Sequence, residues 1–147
     1  MSKKNNLMAT SRRNARECAL RALYEWLLND TASIDALRSR QLDGEGDIDV
    51  NYFDVMLTGV IACAPDLESV IVPHLDRAIK SLSPIEHAVL LIGAFEMLQQ
   101  KQIPYRVIIN EAVELAKDYG GTDGYKFVNG VLDKMVATAR PKELNAY

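Results

Sequence analysis

The sequence predicts an all-α protein of about seven helices in two packed helical-bundle subdomains. Apolar residues recur three and four positions apart through most of the chain, which is the period of an amphipathic helix. Proline, glycine and capping residues interrupt this pattern at intervals that suit helix ends. The 147 residues are 48% apolar and 25% charged, an ordinary globular composition. We therefore predict one helical domain over residues 11–140, divided at about residue 81, and a C-terminal tail over residues 141–147.

Four helices are predicted in the N-terminal half. The first spans about residues 10–29, and the second spans about residues 32–42 and leads into an acidic, glycine-containing loop at residues 43–47. A third helix covers about residues 50–64, where Pro65 is expected to end it. A fourth covers about residues 66–81, with a kink or a break at Pro73.

The C-terminal half begins with a capping signal. Ser83 can cap a helix, Pro84 suits its first position, and Glu86 completes a capping box. The helix that follows, to about residue 100, is apolar on nearly every side and is therefore expected to be buried.

Two further helices are predicted, over residues 105–119 and 124–139. Gly120 and Gly121 stop the first, and Thr122 or Asp123 caps the second. A glycine inside a helix costs about 1 kcal/mol relative to alanine. We therefore expect another helix to approach closely at Gly130.

Charge is distributed unevenly along the chain. Residues 1–21 carry six basic side chains and one acidic side chain, whereas the other 126 residues carry eleven basic and nineteen acidic ones. A basic arm on an acidic body is typical of polyanion binding, and a solvated tail is the alternative. Residues 1–10 form a basic extension for which we expect disorder, with Lys3 and Lys4 as background charge.

The sequence offers no enzyme site. His74 and His87 form no ligand-spaced pair, and the chain has no phosphate-binding glycine loop and no nucleophile elbow. Cys18 and Cys63 are expected as inert thiols, and Glu96 as a buried structural acceptor. We predict no catalytic residue, no metal and no cofactor.

No membrane segment is expected either. No apolar run reaches the ~18–20 residues that span a bilayer, and the polar N-terminus has no apolar signal region. The expected location is the cytoplasm.

The start of the first helix is the best candidate for binding RNA. Arg12, Arg13 and Arg16 provide planar forks for phosphate groups, and Tyr24 provides a ring on which a base can stack. Cations beside an aromatic ring are what single-stranded RNA recognition needs. The alternative places Tyr24 at the rim of the core and the arginines in solvent. If they bind RNA, replacing Arg13 or Arg16 should weaken binding with little change in melting temperature.

The last predicted helix provides a second cation and a second ring. Lys126 and Phe127 lie in its first turn, where they suit RNA contact. A solvated charge and a core ring explain them equally well.

Several runs of residues resemble the bacterial NusB family. Residues 12–19 with 22–24 are similar to its RRxARExAxxALY signature. Residues 82–96, Pro104-Tyr105, residues 109–117 (INEAVELAK) and residues 126–134 (KFVNGVLDK) are similar to the rest of the family pattern. The resemblance covers about residues 11–140. The departures are Asn14 in place of a third basic residue, Leu91 in place of a common arginine, and Phe95 in place of a common tyrosine.

This resemblance implies an RNA-binding transcription antitermination factor. Such a protein binds single-stranded boxA RNA of ribosomal RNA operons with the ribosomal protein NusE, and the pair joins an antitermination complex of RNA polymerase. The resemblance also implies roles for single residues. The RNA-binding set is Arg12, Arg13, Arg16, Tyr24, Asp123, Lys126 and Phe127. Glu86 is implied to face the protein partner.

An interaction protein without specific RNA binding remains the alternative. In that interpretation the chain is a helical adaptor or a homodimer, and its arginines only raise solubility. RNA binding and its salt dependence distinguish the two.

Overall fold

A computed structural model describes residues 3–43 and 46–146, except for the side chains of residues 3–6. The prediction of an all-α fold is confirmed, because these residues form seven α-helices and two 3₁₀ turns and contain no strand. The helices are α1 Lys3–Leu28, α2 Ile34–Leu42, α3 Val50–Ile71, α4 Pro84–Gln99, α5 Tyr105–Tyr119, α6 Gly124–Ala139 and α7 Pro141–Asn145. The turns are Val72–His74 and Ile79–Ser81.

The chain divides into two compact units, Met1–Ala62 and Cys63–Tyr147, whereas the sequence placed the division at about residue 81.

In the N-terminal unit α1 begins at Lys3, so residues 3–10 are helical where disorder was expected. Side-chain bonds join α1 to α2: the Arg21 Nε donates to the Gln41 Oε1 at 2.9 Å, and Arg40 pairs with Glu25. The hydrogen bond from Arg40 lowers the pKa of Glu25.

The predicted break at Pro65 is wrong, because α3 continues through it to Ile71. Proline removes one backbone hydrogen bond and crowds the preceding turn, at a cost of about 3 kcal/mol in a helix interior. Val60, Leu67 and Ile71 lie on both sides of Pro65 and are all buried. Burial of this shared face outweighs the cost, since tertiary packing supplies most of the stability of helices in proteins.

The prediction of a separate fourth helix over residues 66–81 is wrong, but the break expected at Pro73 is confirmed, because the α-helix ends at Ile71. Residues 66–71 belong to α3, and the remainder contains the two 3₁₀ turns with residues 75–78 between them in neither helix nor turn. Pro73 lies at the start of the first turn, where no backbone donor is required. Three α-helices therefore precede residue 82 in the described chain, and four follow it.

The stretch Val50–His74 is long and apolar enough, by length and composition, to cross a membrane, which corrects the expectation that no such stretch exists. This is weak support for a membrane span, since core helices of soluble proteins meet the same criterion. Phe53, Met56 and Val60 of this stretch are fully buried within the protein.

The C-terminal unit is built around α4. The predicted capping box is present: the Glu86 N–H donates to the Ser83 Oγ at 3.1 Å, and the Ser83 N–H donates to the Glu86 Oε1 at 3.2 Å. Every residue from position 88 to position 97 is buried, as the apolar pattern predicted. α5 and α6 pack against α4 and against each other.

The close helix approach occurs at Gly93 and not at Gly130. A Cβ atom on Gly93 would lie 2.9 Å from both Cδ atoms of Leu132, so a larger residue there would require the Leu132 side chain to shift. Gly130 is exposed, and a Cβ added there would meet no atom within 4 Å. The prediction of a neighbouring helix at Gly130 is therefore wrong.

A buried arginine closes the carboxyl end of α4. Arg140 is only 6% exposed, and it donates to the carbonyl oxygens of Met97 at 2.7 Å, Ile103 at 2.9 Å, Gln100 at 3.0 Å and Glu96 at 3.2 Å. The last carbonyls of a helix have no partner within the helix. Arg140, at the end of α6, supplies donors from outside α4, in addition to the backbone N–H groups of Gln100 and Ile103 that bond the carbonyls of Glu96 and Gln100.

Glu143 extends this network to α5. One of its carboxylate oxygens accepts from Arg140, and the other accepts from the Tyr105 N–H at 2.9 Å, at the start of α5. Residues 141–145, which the sequence assigned to a tail, form α7. This short helix therefore places one carboxylate between the guanidinium group of Arg140 and the first turn of α5.

We expect Arg140→Met to lower the free energy of unfolding by about 3–5 kcal/mol, because it removes the cation beside the partly buried Glu143 carboxylate and the side-chain donor to the carbonyls of Met97 and Ile103. Urea unfolding at neutral pH measures the change. Arg140→Lys should recover little, since an ammonium group cannot reproduce the planar fork. Lys142→Met, an exposed position on α7, is the control. Equal stability of Arg140→Met and the control would contradict this role.

Candidate nucleic-acid interface

The four candidate residues on α1 differ in exposure. Arg13 is exposed, Tyr24 is 38% exposed, and Arg12 is half-buried. Arg16 is only 3% exposed, because it faces into the N-terminal unit with Ala15 and Ala19 and not along the outer edge. The structure therefore leaves Arg13 and Tyr24 as the accessible cation and ring of this helix, with Arg12 partly accessible.

Tyr52, in the first turn of α3, lies beneath two of these arginines. The guanidinium carbon of Arg12 is 4.3 Å from the centroid of the Tyr52 ring, and that of Arg16 is 5.5 Å from it. Tyr52 is 5% exposed, so its ring is largely shielded from solvent. Cation–π contacts of this kind stabilise by about 0.5–2 kcal/mol and fix the plane of the guanidinium group. The sequence analysis did not identify Tyr52, since only the tertiary fold brings α3 to α1.

An acidic segment lies against the same part of α1. The Asp49 N–H donates to the Ser11 carbonyl at 3.1 Å, and the Asn14 Nδ2 donates to the Asp47 carbonyl at 2.8 Å. The Asp49 carboxylate lies 3.8 Å from the Arg12 Nε. Gly44 and Glu45, from the predicted acidic loop, lie outside the described residues. An acidic side chain therefore occupies part of the surface around Arg12.

Asp49 also caps α3. Its Oδ1 atom accepts from the Tyr52 N–H at 3.0 Å, and its backbone carbonyl accepts from the Phe53 N–H at 3.0 Å. The same carboxylate thus serves a helix start and a cation. One aspartate couples the start of α3, which carries Tyr52, to the arginine that stacks on Tyr52.

The other candidate residues lie in the first turn of α6. Asp123 holds the N-cap position but makes no capping bond with its side chain, which lies 3.4 Å from the Lys126 Nζ. Both side chains are largely exposed. Phe127 is half-buried, and the guanidinium carbon of Arg77 lies 4.2 Å from its ring centroid. Arg77 was not identified from the sequence. The sequence placed it in a helix over residues 66–81, whereas it lies between the two 3₁₀ turns.

Arg77 and Glu86 complete this group. The Arg77 Nε donates to the Asp76 Oδ1 at 2.8 Å, and this hydrogen bond lowers the pKa of Asp76. The Glu86 Oε2 lies 3.4 Å from the position that a Cβ would take on Gly124. The residue that the resemblance assigns to a protein partner therefore adjoins the start of α6, which carries residues assigned to RNA.

The structure also locates the residues considered for other chemistry. Glu96 is buried in α4, Cys18 is buried, and Cys63 is half-buried. The His87 Nε2 lies 2.9 Å from the Glu68 Oε1. Across residues 3–43 and 46–146, no three histidine, cysteine or acidic side chains are grouped so that they could hold a metal ion.

Comparison with known proteins identifies clear relatives. The model of the NusB family matches residues 13–137. Transcription antitermination protein NusB of Bordetella pertussis is 48% identical over 143 residues, which cover 93% of this chain and 92% of the relative. The protein of the same name from Paraburkholderia xenovorans is 50% identical over 141 residues, which cover 95% of this chain and 97% of the relative.

Solved structures share the fold. NusB of T. maritima superposes with a TM-score of 0.82 at 26% identity, covering 90% of this chain and 96% of that one. A NusB chain in a crystal structure of NusB and NusE with double-stranded RNA superposes with a TM-score of 0.78 at 24% identity, covering 88% and 98%.

Because Arg16 is buried and Arg13 is exposed, we expect replacement of each arginine to change the stability of the protein by a different amount. We expect Arg16→Ala to lower the free energy of unfolding by about 2 kcal/mol or more, because it removes a buried side chain from the contact with Tyr52. Arg13→Ala, at an exposed position, should change it by no more than about 0.5 kcal/mol. Chemical denaturation of both variants tests this. Equally small changes would place the Arg16 guanidinium group in solvent.

Proposed function

The chain belongs to the NusB family, and we propose that it acts as a transcription antitermination factor that binds boxA RNA together with ribosomal protein NusE. In this proposal the pair joins the antitermination complex of RNA polymerase and supports processive transcription of ribosomal RNA operons in the cytoplasm. The relatives bear the name of transcription antitermination proteins, in agreement with a non-enzymatic role.

The observation that carries RNA binding is the arrangement of α1. Arg13 and Tyr24 are exposed, and Arg12 is held by Tyr52 from below. A guanidinium group that is already oriented loses less conformational freedom when it binds phosphate. The exposed Tyr24 ring can stack on any base. Arg16, which the resemblance implies as an RNA contact, is buried. We infer that Arg16 acts on RNA binding through Tyr52.

The start of α6 supplies the second part of the proposed interface. Lys126 offers an exposed cation, Phe127 a half-buried ring, and Asp123 an exposed carboxylate that can accept from the edge of a base. Glu86 is proposed as the contact to NusE. Because Glu86 adjoins Gly124, RNA and NusE would meet on neighbouring residues of the C-terminal unit.

We expect Arg13→Ala and Tyr24→Ala to weaken RNA binding without unfolding the protein. Loss of a stacking ring costs about 1–3 kcal/mol of binding free energy per base. If Arg12, Arg13 and Lys126 each neutralise one phosphate, the slope of log affinity against log salt should be roughly −2, from about 0.7 per contact. Fluorescence anisotropy with a boxA-like single strand, with and without NusE, measures both effects.

Arg106→Ala, an exposed arginine on α5, is the matched control. A scrambled strand and a double-stranded RNA test sequence preference and strandedness. Binding of NusE without measurable RNA binding, or unaltered RNA affinity in the Arg13 and Tyr24 variants, would favour the adaptor interpretation over this proposal. Self-association is checked by sedimentation of the same samples.

Asp49→Asn should raise RNA affinity about two- to fivefold, because it removes a carboxylate that shares Arg12 with the incoming phosphate, and exposed ion pairs contribute about 0.2–1 kcal/mol. Asparagine caps helices as well as aspartate does, so α3 should keep its start. Asp47→Asn is the control, because it removes the same charge from the same segment. The described bond from Asp47 to α1 uses only its backbone carbonyl. An equal rise in both variants would show a general effect of charge and contradict a specific contact at Arg12.

A further inference from the structure

A small depression opens on the C-terminal unit beside α6. It encloses about 180 Å³ and lies next to the 3₁₀ turn Val72–His74, which packs against α6. The residues that line it are His74, Asp76, Lys126, Phe127, Gly130, Val131 and Lys134. The resemblance assigns roles to only two of these residues, Lys126 and Phe127.

Gly130 is the unusual element of this surface. It lies in the middle of α6, where glycine costs about 1 kcal/mol relative to alanine. No packing contact requires it, because a Cβ atom there would meet nothing within 4 Å. The effect of the glycine is to leave the depression open between Lys126 and Lys134.

Helical spacing places the two lysines on either side of this opening. Lys126, Gly130 and Lys134 are four residues apart and therefore share one face of α6. Lys126 already pairs with Asp123. Lys134 is exposed, and the acidic group near it is Asp76, whose pKa its charge helps to lower. Lys134 therefore brings an exposed positive charge that a phosphate group could share with the Asp76 carboxylate.

Aromatic and apolar atoms form the rest of the wall. Phe127 contributes its ring, which Arg77 holds in place from 4.2 Å, and Val131 contributes a buried aliphatic side chain. The Asp76 carboxylate, whose position is fixed by its bonds to Arg77, provides an acceptor at the rim. An apolar wall, one fixed acceptor and flanking lysines suit a planar base that is attached to a phosphate.

The size of the depression limits the ligand. Sites for drug-sized small molecules usually enclose about 300–1,000 Å³. A volume of about 180 Å³ is smaller, and it is compatible with a single flat ring system. A single strand of RNA could place one base in the depression while its other nucleotides lie along the surface.

We propose that this depression receives one unstacked nucleotide of single-stranded RNA, with its base over Gly130 against Phe127 and Val131, and its phosphate beside Lys134. The proposal rests on the RNA-binding function proposed above. It adds Gly130, Val131 and Lys134 to the interface and gives the glycine in α6 a role in binding.

Filling the depression tests the proposal directly. Gly130→Gln introduces a neutral side chain with good helix propensity at an exposed position, and it should lower RNA affinity about tenfold. Ala137→Gln adds comparable bulk at an exposed position of α6 that does not line the depression, and it is the matched control. Gly130→Ala should raise the melting temperature, since it adds helix propensity in open space.

A set of boxA-like strands, each with one abasic position, identifies the inserted base. In the unaltered protein, one abasic position should reduce affinity about tenfold. In Gly130→Gln the same abasic strand should show no further loss, because base and pocket act as a coupled pair. Lys134→Gln should reduce the salt slope by about 0.7, whereas Lys142→Gln should leave it unchanged.

The outcomes separate this proposal from the function on which it rests. If the unaltered protein binds no RNA, both fail. If Arg13→Ala weakens binding while Gly130→Gln binds as tightly as Ala137→Gln, the depression is not an RNA site and the proposed function stands. If the abasic loss persists in Gly130→Gln, no base enters the depression, and the proposal is overturned. Melting temperatures of all variants establish that each one is folded.

Discussion

The C-terminal unit depends on how the carboxyl end of α4 is closed. α4 is apolar and buried, so its last carbonyl groups need partners other than water. Arg140 supplies them with a single guanidinium group that donates to four carbonyl oxygens and is neutralised by Glu143. Because Glu143 also accepts from the Tyr105 N–H, the ends of α4, α5 and α6 meet at one charged network. A buried cation is tolerated here because every part of it is paired.

This network fixes α6, and α6 carries the candidate site. Its C-terminal end is joined to Arg140, and its middle is held against α4 by the close approach of Leu132 to Gly93. The N-terminal half of the helix then presents Lys126 and the open position at Gly130 on one exposed face. The two glycines thus have opposite roles: the glycine of α4 permits close packing, and the glycine of α6 leaves space where nothing packs.

The N-terminal unit uses its arginines differently. Arg13 and Tyr24 could be identified from the sequence as an exposed cation and ring, because both lie on the solvent side of the helical pattern. The tertiary structure alone shows that Tyr52 supports Arg12, and that Arg16 is buried beside the same ring. The helical wheel of α1 could not give this result, since the ring comes from α3, about forty residues along the chain.

By itself, the sequence determined the elements whose signals are local. The start of α4 follows from Ser83 and Glu86, because a capping box involves atoms within one helical turn. Tertiary structure decided the features that depend on distant partners. Pro65 remains inside a helix because both sides of it are buried, and Arg16 is buried although its neighbour Arg13 is exposed. Arg140 lies at the edge of the predicted domain, and only the tertiary structure brings it to carbonyl groups more than thirty-five residues away.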